Sequence, residues 1–274
     1  MNTVIVTGAS SGIGRATTLQ LLNSGYQVFG LARNLQKLES ISAELPGNKS
    51  GNYVPLQFDI TRPETFDNTS TSILRRAHSG TIYGLVNNAG YVEPGAVEDF
   101  SMEGLRLEFE TNFFGLVGLT KKILPLMLEN HSGRIVNVSS LAGLISLPIL
   151  GAYCASKHAV EAISDALRAE TWNTGIKVIN VNPGLIETNI HSITISKITP
   201  KQSRFRQAYS KYLENVPKGM PPSAVAAVID EAISSPNPRL RYFVGSKREV
   251  IGVRFRPLLA DRLFYKLVSD RLTK

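Results

Sequence analysis

Tyr153 and Lys157 stand four residues apart in the run Tyr-Cys-Ala-Ser-Lys, with Ser140 upstream. If the run opens a helix, positions i and i+4 put the phenol and the ammonium on one face. A free tyrosine titrates near ~10, too high to shuttle protons well at neutral pH. An ammonium nearby favours the phenolate and lowers that pKa, which makes the pair a candidate general acid and base. Ser140 follows a strand-like run from Arg134 to Ser139, and its hydroxyl suits a carbonyl oxygen on which charge develops. Tyr-x-x-x-Lys alone is common by chance and is more often a surface tyrosine beside a solvated lysine. The elements around the pair decide between the two.

The N-terminal segment has the form of a phosphate cradle. Asn2 to Thr7 is a short β-branched run that passes directly into Gly8-Ala-Ser-Ser-Gly12-Ile-Gly14. A helical pattern through Ala16, Leu19, Leu21 and Leu22 follows and ends near Gly25. Strand, glycine turn and helix in this order point to a pyrophosphate on the helix N-terminus. The next strand, Gln27 to Ala32, ends at Arg33 rather than at an acid. An acid there would bind the ribose hydroxyls of NAD, whereas a base accommodates the 2′-phosphate of NADP. Arg33 and Arg15 form a candidate guanidinium clamp, which favours NADP(H) and leaves NAD(H) as the alternative.

Thr7-Gly-Ala-Ser-Ser-Gly-Ile-Gly14, Asn87-Asn-Ala-Gly90, Ser140 and Tyr153-Cys-Ala-Ser-Lys157 occur in one order. In this the chain resembles the single-domain short-chain dehydrogenases/reductases, over residues 3 to 188. The resemblance implies a catalytic tetrad of Asn112, Ser140, Tyr153 and Lys157. It also implies cofactor contacts at Gly8, Ser10, Ser11, Gly12, Ile13, Gly14, Arg15, Arg33, Asp59, Ile60, Asn88, Ala89, Gly90, Tyr153, Lys157, Pro183, Gly184, Ile186 and Thr188. Asp59 resembles the aspartate that meets the adenine amino group, and the Pro183 to Thr188 segment the one that holds the nicotinamide carboxamide. The implied reaction is reversible hydride transfer with a carbonyl or alcohol. Reduction is its expected direction, because cytosolic NADP is kept mostly reduced. The basic, aromatic C-terminus looks most like the steroid and retinoid dehydrogenase branch. The resemblance further implies a homodimer, or a homotetramer, built on the Leu105–Leu128 and Tyr153-bearing helices.

Strand-like and helix-like runs alternate along the 274 residues. The strand-like runs begin at Val4, Gln27, Tyr53, Ile82, Arg134, Lys177 and Tyr242. This alternation predicts a single α/β domain over 1–274, a Rossmann-type doubly wound parallel sheet of about seven strands with helices on both faces. The one cysteine, Cys154, rules out an intrachain disulfide and reads as a small side chain in a turn. The four histidines lack metal-ligand spacing, and no metal is expected. No apolar run is long enough for a transmembrane helix, and the first residues already form the first strand, so the expected compartment is cytoplasmic.

The net charge of +8 is concentrated in the tail: ten of the 30 Lys/Arg and three of the 22 Asp/Glu lie from Arg239 onward. Residues 250–274 form a basic amphipathic extension, suited either to an anionic membrane surface or to packing on the domain or on a second subunit. No nucleic-acid reader motif accompanies the charge. Three segments leave the carboxyl ends of the strands toward a substrate: Gly90 to Gly95, the apolar Leu141 to Leu150, and a basic stretch over 189–222, which the resemblance implies is a substrate lid. The apolar segment suits a lipophilic carbonyl or packs inward. Two rival readings stand beside the enzyme: a membrane-associated lipid reductase, and a cofactor-sensing binding protein without turnover.

Overall fold

The computed structural model describes residues 1–47, 51–188, 203–214 and 219–273. Seven strands form one parallel sheet: β1 (Thr3–Thr7), β2 (Gln27–Ala32), β3 (Tyr53–Gln57), β4 (Gly84–Asn87), β5 (Gly133–Val138), β6 (Ile176–Pro183) and β7 (Arg241–Val244). Their order is β3-β2-β1-β4-β5-β6-β7. The chain starts in the middle, winds outward to β3, returns to β4 and winds the other way. The reversal falls between β1 and β4, where in such sheets a crevice opens beyond the strand ends.

The β-branched strands are buried on both faces, so they read as apolar runs rather than alternating ones. Alternate residues of β1 serve opposite layers. Val4 and Val6 join Leu21 and Leu22 of α1 (Gly12–Asn23) and Ile229 and Ile233 of α8 (Pro222–Ser234). Ile5 joins Phe66 and Ile73 of α3 (Phe66–Arg76) and Ile123 and Met127 of α5 (Gly115–Glu129). The helix α2 (Leu35–Glu44) lies between β2 and β3, capped by the Asn34 side chain on Lys37 N. The doubly wound sheet with helices on both faces is thus as the alternation predicts.

Two elements differ from the pattern. The helix through Leu105–Leu128 is interrupted: α4 (Met102–Phe109) and α5 flank a π-turn at Glu110–Phe114, with Asn112 in its centre. The tail is not one helix either. Here α9 (Lys247–Phe255) and α10 (Asp261–Thr273) are separated by a 3-10 turn at Arg256–Leu258, where Pro257 lacks the N–H to continue α9. Of the segment expected to be a lid, α7 (Arg206–Glu214) is described and packs against α10. Residues 189–202 and 215–218, with Lys197, Lys201 and Lys218, lie outside the described residues.

Candidate active site

Tyr153 and Lys157 lie in the first two turns of α6 (Gly151–Glu170), on one face as the spacing requires. Tyr153 is half-buried, and the Lys157 Nζ stands 5.8 Å from its ring centroid. Lys157 is buried, and its Nζ donates to the Val138 carbonyl at the end of β5 (2.9 Å). Burial pulls the Lys157 ammonium down to about 8, against the opposing pull of Glu108 and Glu161. At neutral pH it therefore remains largely a cation.

Ser140 follows β5 directly and opens a 3-10 turn, Leu141–Gly143. Its Oγ accepts from Ala142 N (3.1 Å) and donates to Pro183 O (3.3 Å). The serine hydroxyl thereby touches the strand end that leads to the expected carboxamide segment. Asn112 is fully buried, and its Oδ1 accepts from Tyr91 N (3.0 Å). Its Nδ2 donates to Tyr91 O (2.9 Å) and to Ser156 Oγ (3.1 Å). The amide thus clamps the backbone after Gly90 to α6. A Cβ on Gly90 would lie 3.0 Å from Asn112 Oδ1 and 3.7 Å from Lys157 Nζ, so the β4 turn, the π-turn and α6 meet at one point. π-turns recur at such functional positions.

The glycine turn folds as a cradle. A Cβ on Gly14 would sit 2.2 Å from Gly8 O, so no other residue permits α1 to start this close to β1. Gly12 has φ +52 and faces the Thr188 methyl group, which brings the pyrophosphate turn against the expected carboxamide segment. Ser11 occupies the N-cap of α1 without a side-chain cap bond, as do the N-cap residues of α3, α6 and α8, but α1 alone of these opens on a glycine turn. The first-turn N–H groups of α1 are accordingly left for an anion, which fits a dinucleotide pyrophosphate. Thr7 Oγ1 accepts from Asn88 N (3.0 Å) and Ala89 N (2.9 Å), tying the Asn87–Gly90 turn to the cradle.

The remaining expected contacts are spread along the same edge. Asp59 accepts from Thr61 N (3.0 Å) and Thr61 Oγ1 (2.8 Å). Burial opposes its ionisation, but those bonds and the charges of Arg33 and Arg62 outweigh it and hold the carboxyl below its ordinary value. Ile60 is buried against the start of α5. Pro183 and Gly184 end β6, and Ile186 bridges to Met220. Ser10 and Ile13 are half-buried beside the turn. Arg33 is exposed at the end of β2, whereas Arg15 is ion-paired with Glu44 of α2, an acid that the clamp reading did not weigh.

Three further acids escaped the sequence reading. Glu108 is fully buried one turn before Asn112; its Oε1 accepts from Glu93 N (3.4 Å), and its Oε2 has no hydrogen-bond partner among the described residues. Burial pushes its carboxyl up to about 8, with Glu93 adding to the rise and the Glu93 N–H and Lys157 opposing it. Glu161, one turn after Lys157, is buried in a network of asparagines. Glu249 accepts from Leu185 N (2.9 Å) and steadies the segment after Gly184. The four-residue offsets of Glu108 from Asn112 and of Glu161 from Lys157 were the available signals.

The apolar segment between Ser140 and Tyr153 packs inward in part. Leu141, Ala142 and Ile149 pack inward, while Leu144, Ile145, Leu147 and Leu150 stay half-buried. Ile149 has φ +56, a strained conformation for a β-branched residue, and its carbonyl accepts from Gly95 N (2.7 Å). Tyr209 of α7 latches this corner: its hydroxyl accepts from Ala96 N and donates to Asp99, both at 2.6 Å. Cys154 is buried, and burial raises its thiol above the ordinary value. Among the described residues no group of three or more His, Cys, Asp or Glu is arranged to hold a metal, and no helix is long and apolar enough to cross a membrane.

The arrangement has counterparts. A short chain dehydrogenase family profile matches residues 2–197. The chain is 34% identical to mouse dehydrogenase/reductase SDR family member 7B, over 99% of this chain and 81% of the relative. It is 33% identical to the NADPH-dependent 3-dehydrocapnine reductase of Ornithobacterium rhinotracheale, over 97% of each. The crystal structure of a short-chain dehydrogenase from Streptomyces avermitilis superposes with a TM-score of 0.80 at 30% identity, covering 98% of this chain and 95% of that one. The chain belongs to the short-chain dehydrogenase/reductase family of oxidoreductases.

Proposed function

We propose that the protein is an NADP(H)-dependent oxidoreductase that transfers hydride between the nicotinamide and a lipophilic carbonyl or secondary alcohol. The observation that carries this reading is the meeting of Asn112, Gly90 and the buried Lys157 ammonium beside Tyr153, across from an uncapped glycine cradle. NADPH supplies the hydride when bound. In reduction, the Tyr153 hydroxyl gives its proton to the oxygen of the developing alkoxide. The Lys157 cation favours the resulting phenolate and binds the nicotinamide ribose hydroxyls. The Ser140 hydroxyl donates to the carbonyl oxygen. Asn112 holds the turn after Gly90 against α6 and keeps a water in line for proton return through Lys157.

The choice of NADP(H) over NAD(H) rests on Arg33, exposed at the end of a strand without an acid, and on the NADPH dependence of the O. rhinotracheale relative. Arg15 joins Arg33 by exchanging Glu44 for the 2′-phosphate. The half-buried apolar side chains between Leu144 and Leu150 and the latch at Tyr209 favour a lipophilic ketone or aldehyde of the steroid, retinoid or fatty type. Titration of NADPH and NADH side by side, followed by a carbonyl panel read as NADPH consumption, tests the reading. Tighter NADPH binding with turnover of apolar ketones is expected; equal or tighter NADH binding overturns the clamp. Binding without turnover of any carbonyl favours the sensing alternative.

A second observation favours contact with a membrane surface from the cytoplasmic side. Ile251, Phe255, Leu258, Leu263, Tyr265 and Leu267 are exposed in and between α9 and α10, among Arg254, Arg256, Arg262 and Lys266. Apolar side chains flanked by cations suit an anionic bilayer. Co-sedimentation with phosphatidylserine vesicles, lost in a Leu258→Asp/Leu267→Asp variant, is the expected result. The proposed assembly is a homodimer, with a homotetramer as its extension. Leu107 and Phe114 are exposed on the π-turn side of α4, and Ile163 on α6, which leaves both candidate helices with apolar surface to cover.

A further inference from the structure

Glu161 takes no part in the reaction proposed above, yet it holds three donors from β6 and β7 against the helix that carries Tyr153 and Lys157. It is 6% exposed on α6, one helical turn beyond Lys157. Its Oε1 accepts from Asn182 Nδ2 at 2.6 Å, and its Oε2 accepts from Asn180 Nδ2 at 2.6 Å and Arg241 Nε at 3.0 Å. The same Asn182 Nδ2 donates to the Ser140 carbonyl at 3.1 Å. One carboxylate therefore joins the Tyr153–Lys157 helix, the Ser140 turn and the last residues of β6, which lead into Pro183 and Gly184.

The charges around it are few and can be named. Lys157 lies on its own helix, and Arg241 reaches in from β7. Asp165, another turn along α6, takes both oxygens of its carboxylate to Arg241 NH2 (2.6 Å each) and also pairs with Arg168. Arg168 is further occupied by Val178 O (3.0 Å) and Leu240 O (3.3 Å). Facing Lys157 from α4 is Glu108, and from its own helix Tyr153. Removing one partner of a buried ion pair is destabilising, and without Glu161 the Arg241 guanidinium and the Asn180 and Asn182 amides lose this acceptor, so the acid serves the fold. Its route through Asn182 to Ser140 and its place one turn beyond Lys157 give it a second use.

We propose that Glu161 is a positioning residue for hydride transfer: through Asn182 it fixes the Ser140 turn, and from one turn beyond Lys157 it adds to Glu108 the negative charge that faces that ammonium. The inference rests on the proposed roles of Ser140 and Lys157. Glu161 opposes the desolvation of Lys157, so its removal lets Lys157 deprotonate at lower pH. Arg241, left without its inner partner, pushes in the same direction.

The test uses the full chain with Glu161→Gln, Glu161→Asp and Glu161→Leu. NADPH affinity is titrated across pH by fluorescence, and kcat and KM are measured with a ketone that the wild type reduces. Glu161→Gln keeps the shape: its Oε1 still accepts from Asn182, which keeps its bond to Ser140 O, and its NH2 meets the Asn180 amide, whose unpaired oxygen can turn to accept. Its alkaline limb, in both NADPH affinity and kcat, is expected to move to lower pH, with KM within about twofold. Glu161→Asp keeps the charge and is expected to keep the wild-type limb. Glu161→Leu is expected to lose kcat at least tenfold in addition; if it fails to fold, the Gln and Asp variants still decide. An unmoved limb and a kcat within twofold for Glu161→Gln overturn the proposal, as does a KM increase without a limb shift. The underlying reading fails separately, if Tyr153→Phe retains turnover.

Discussion

Replacing Lys157 by Met should stabilise the apoprotein at neutral pH while destroying its activity. Lys157 is buried, and desolvation lowers its pKa from 10.5 to about 8. Each pKa unit corresponds to ~1.4 kcal/mol, so carrying this charge into the fold costs about 3 kcal/mol at pH 7. Met fills the same volume without charge but leaves the Val138 carbonyl without its donor, a loss of about 1–2 kcal/mol. The net gain is about 1–2 kcal/mol, or roughly 3–6 °C in Tm for a chain of this size. Between pH 8 and 10.5 the unfolded state binds more protons at this lysine than the native state does. Wild-type stability therefore rises with pH through that window, and the penalty is gone above it. Lys157→Met lacks this slope, so its advantage shrinks and then reverses. Urea unfolding of both apoproteins at about pH 7 and about pH 10.5 reads the effect directly. A variant less stable by the same amount at both pH values would refute the reasoning, because the ammonium would then carry no desolvation cost.

Glu108 works in the opposite sense: with its carboxyl raised to about 8, the native state holds the extra proton above the ordinary carboxylate range. Stability should fall as pH rises to about 8, and Glu108→Gln should flatten that slope in the same unfolding experiment; equal slopes contradict it. Tyr209→Phe strips the latch of its bond to Asp99 and leaves Ala96 N–H buried without an acceptor, a cost of about 1–3 kcal/mol. Limited proteolysis should then cut 203–214 faster and KM should rise, with kcat little changed; an unchanged digestion rate rejects the latch. Gly14→Ala forces a Cβ to 2.2 Å from Gly8 O and should weaken NADPH binding at least tenfold. Wild-type affinity in that variant would mean the cradle is not where the pyrophosphate lies.

The strands were legible because β-branched runs such as Val4–Val6 and Val178–Val181 are bounded by turn residues, and buried parallel strands carry no alternation to confuse the reading. The glycine turn and the Tyr153–Lys157 face were legible because backbone geometry leaves few residue types at those positions. The π-turn was not: Phe109, Phe113 and Leu116 keep helical spacing, and one extra residue in a turn leaves the apolar pattern intact. Glu108 and Glu161 were passed over because acids on helices are mostly solvated. Only the tertiary contacts with Glu93, Asn180 and Asn182 reveal them as buried. The split of the tail at Arg256–Leu258 was signalled by Pro257, a helix breaker that the charge pattern overshadowed. The pairing of Arg15 with Glu44 depends on α2 lying beside α1, which no local pattern encodes.

If Tyr153 delivers the proton that completes hydride transfer from bound NADPH, its loss must abolish that transfer. The most direct measurement follows deuterium from [4-2H]NADPH into an apolar ketone, for the wild type and for Tyr153→Phe, with NADPH affinity measured on both. The account predicts label in the wild-type alcohol, loss of nearly all label transfer in Tyr153→Phe, and unchanged affinity. Label transfer retained by Tyr153→Phe, or a wild type that binds NADPH and transfers no label to any carbonyl, would contradict it.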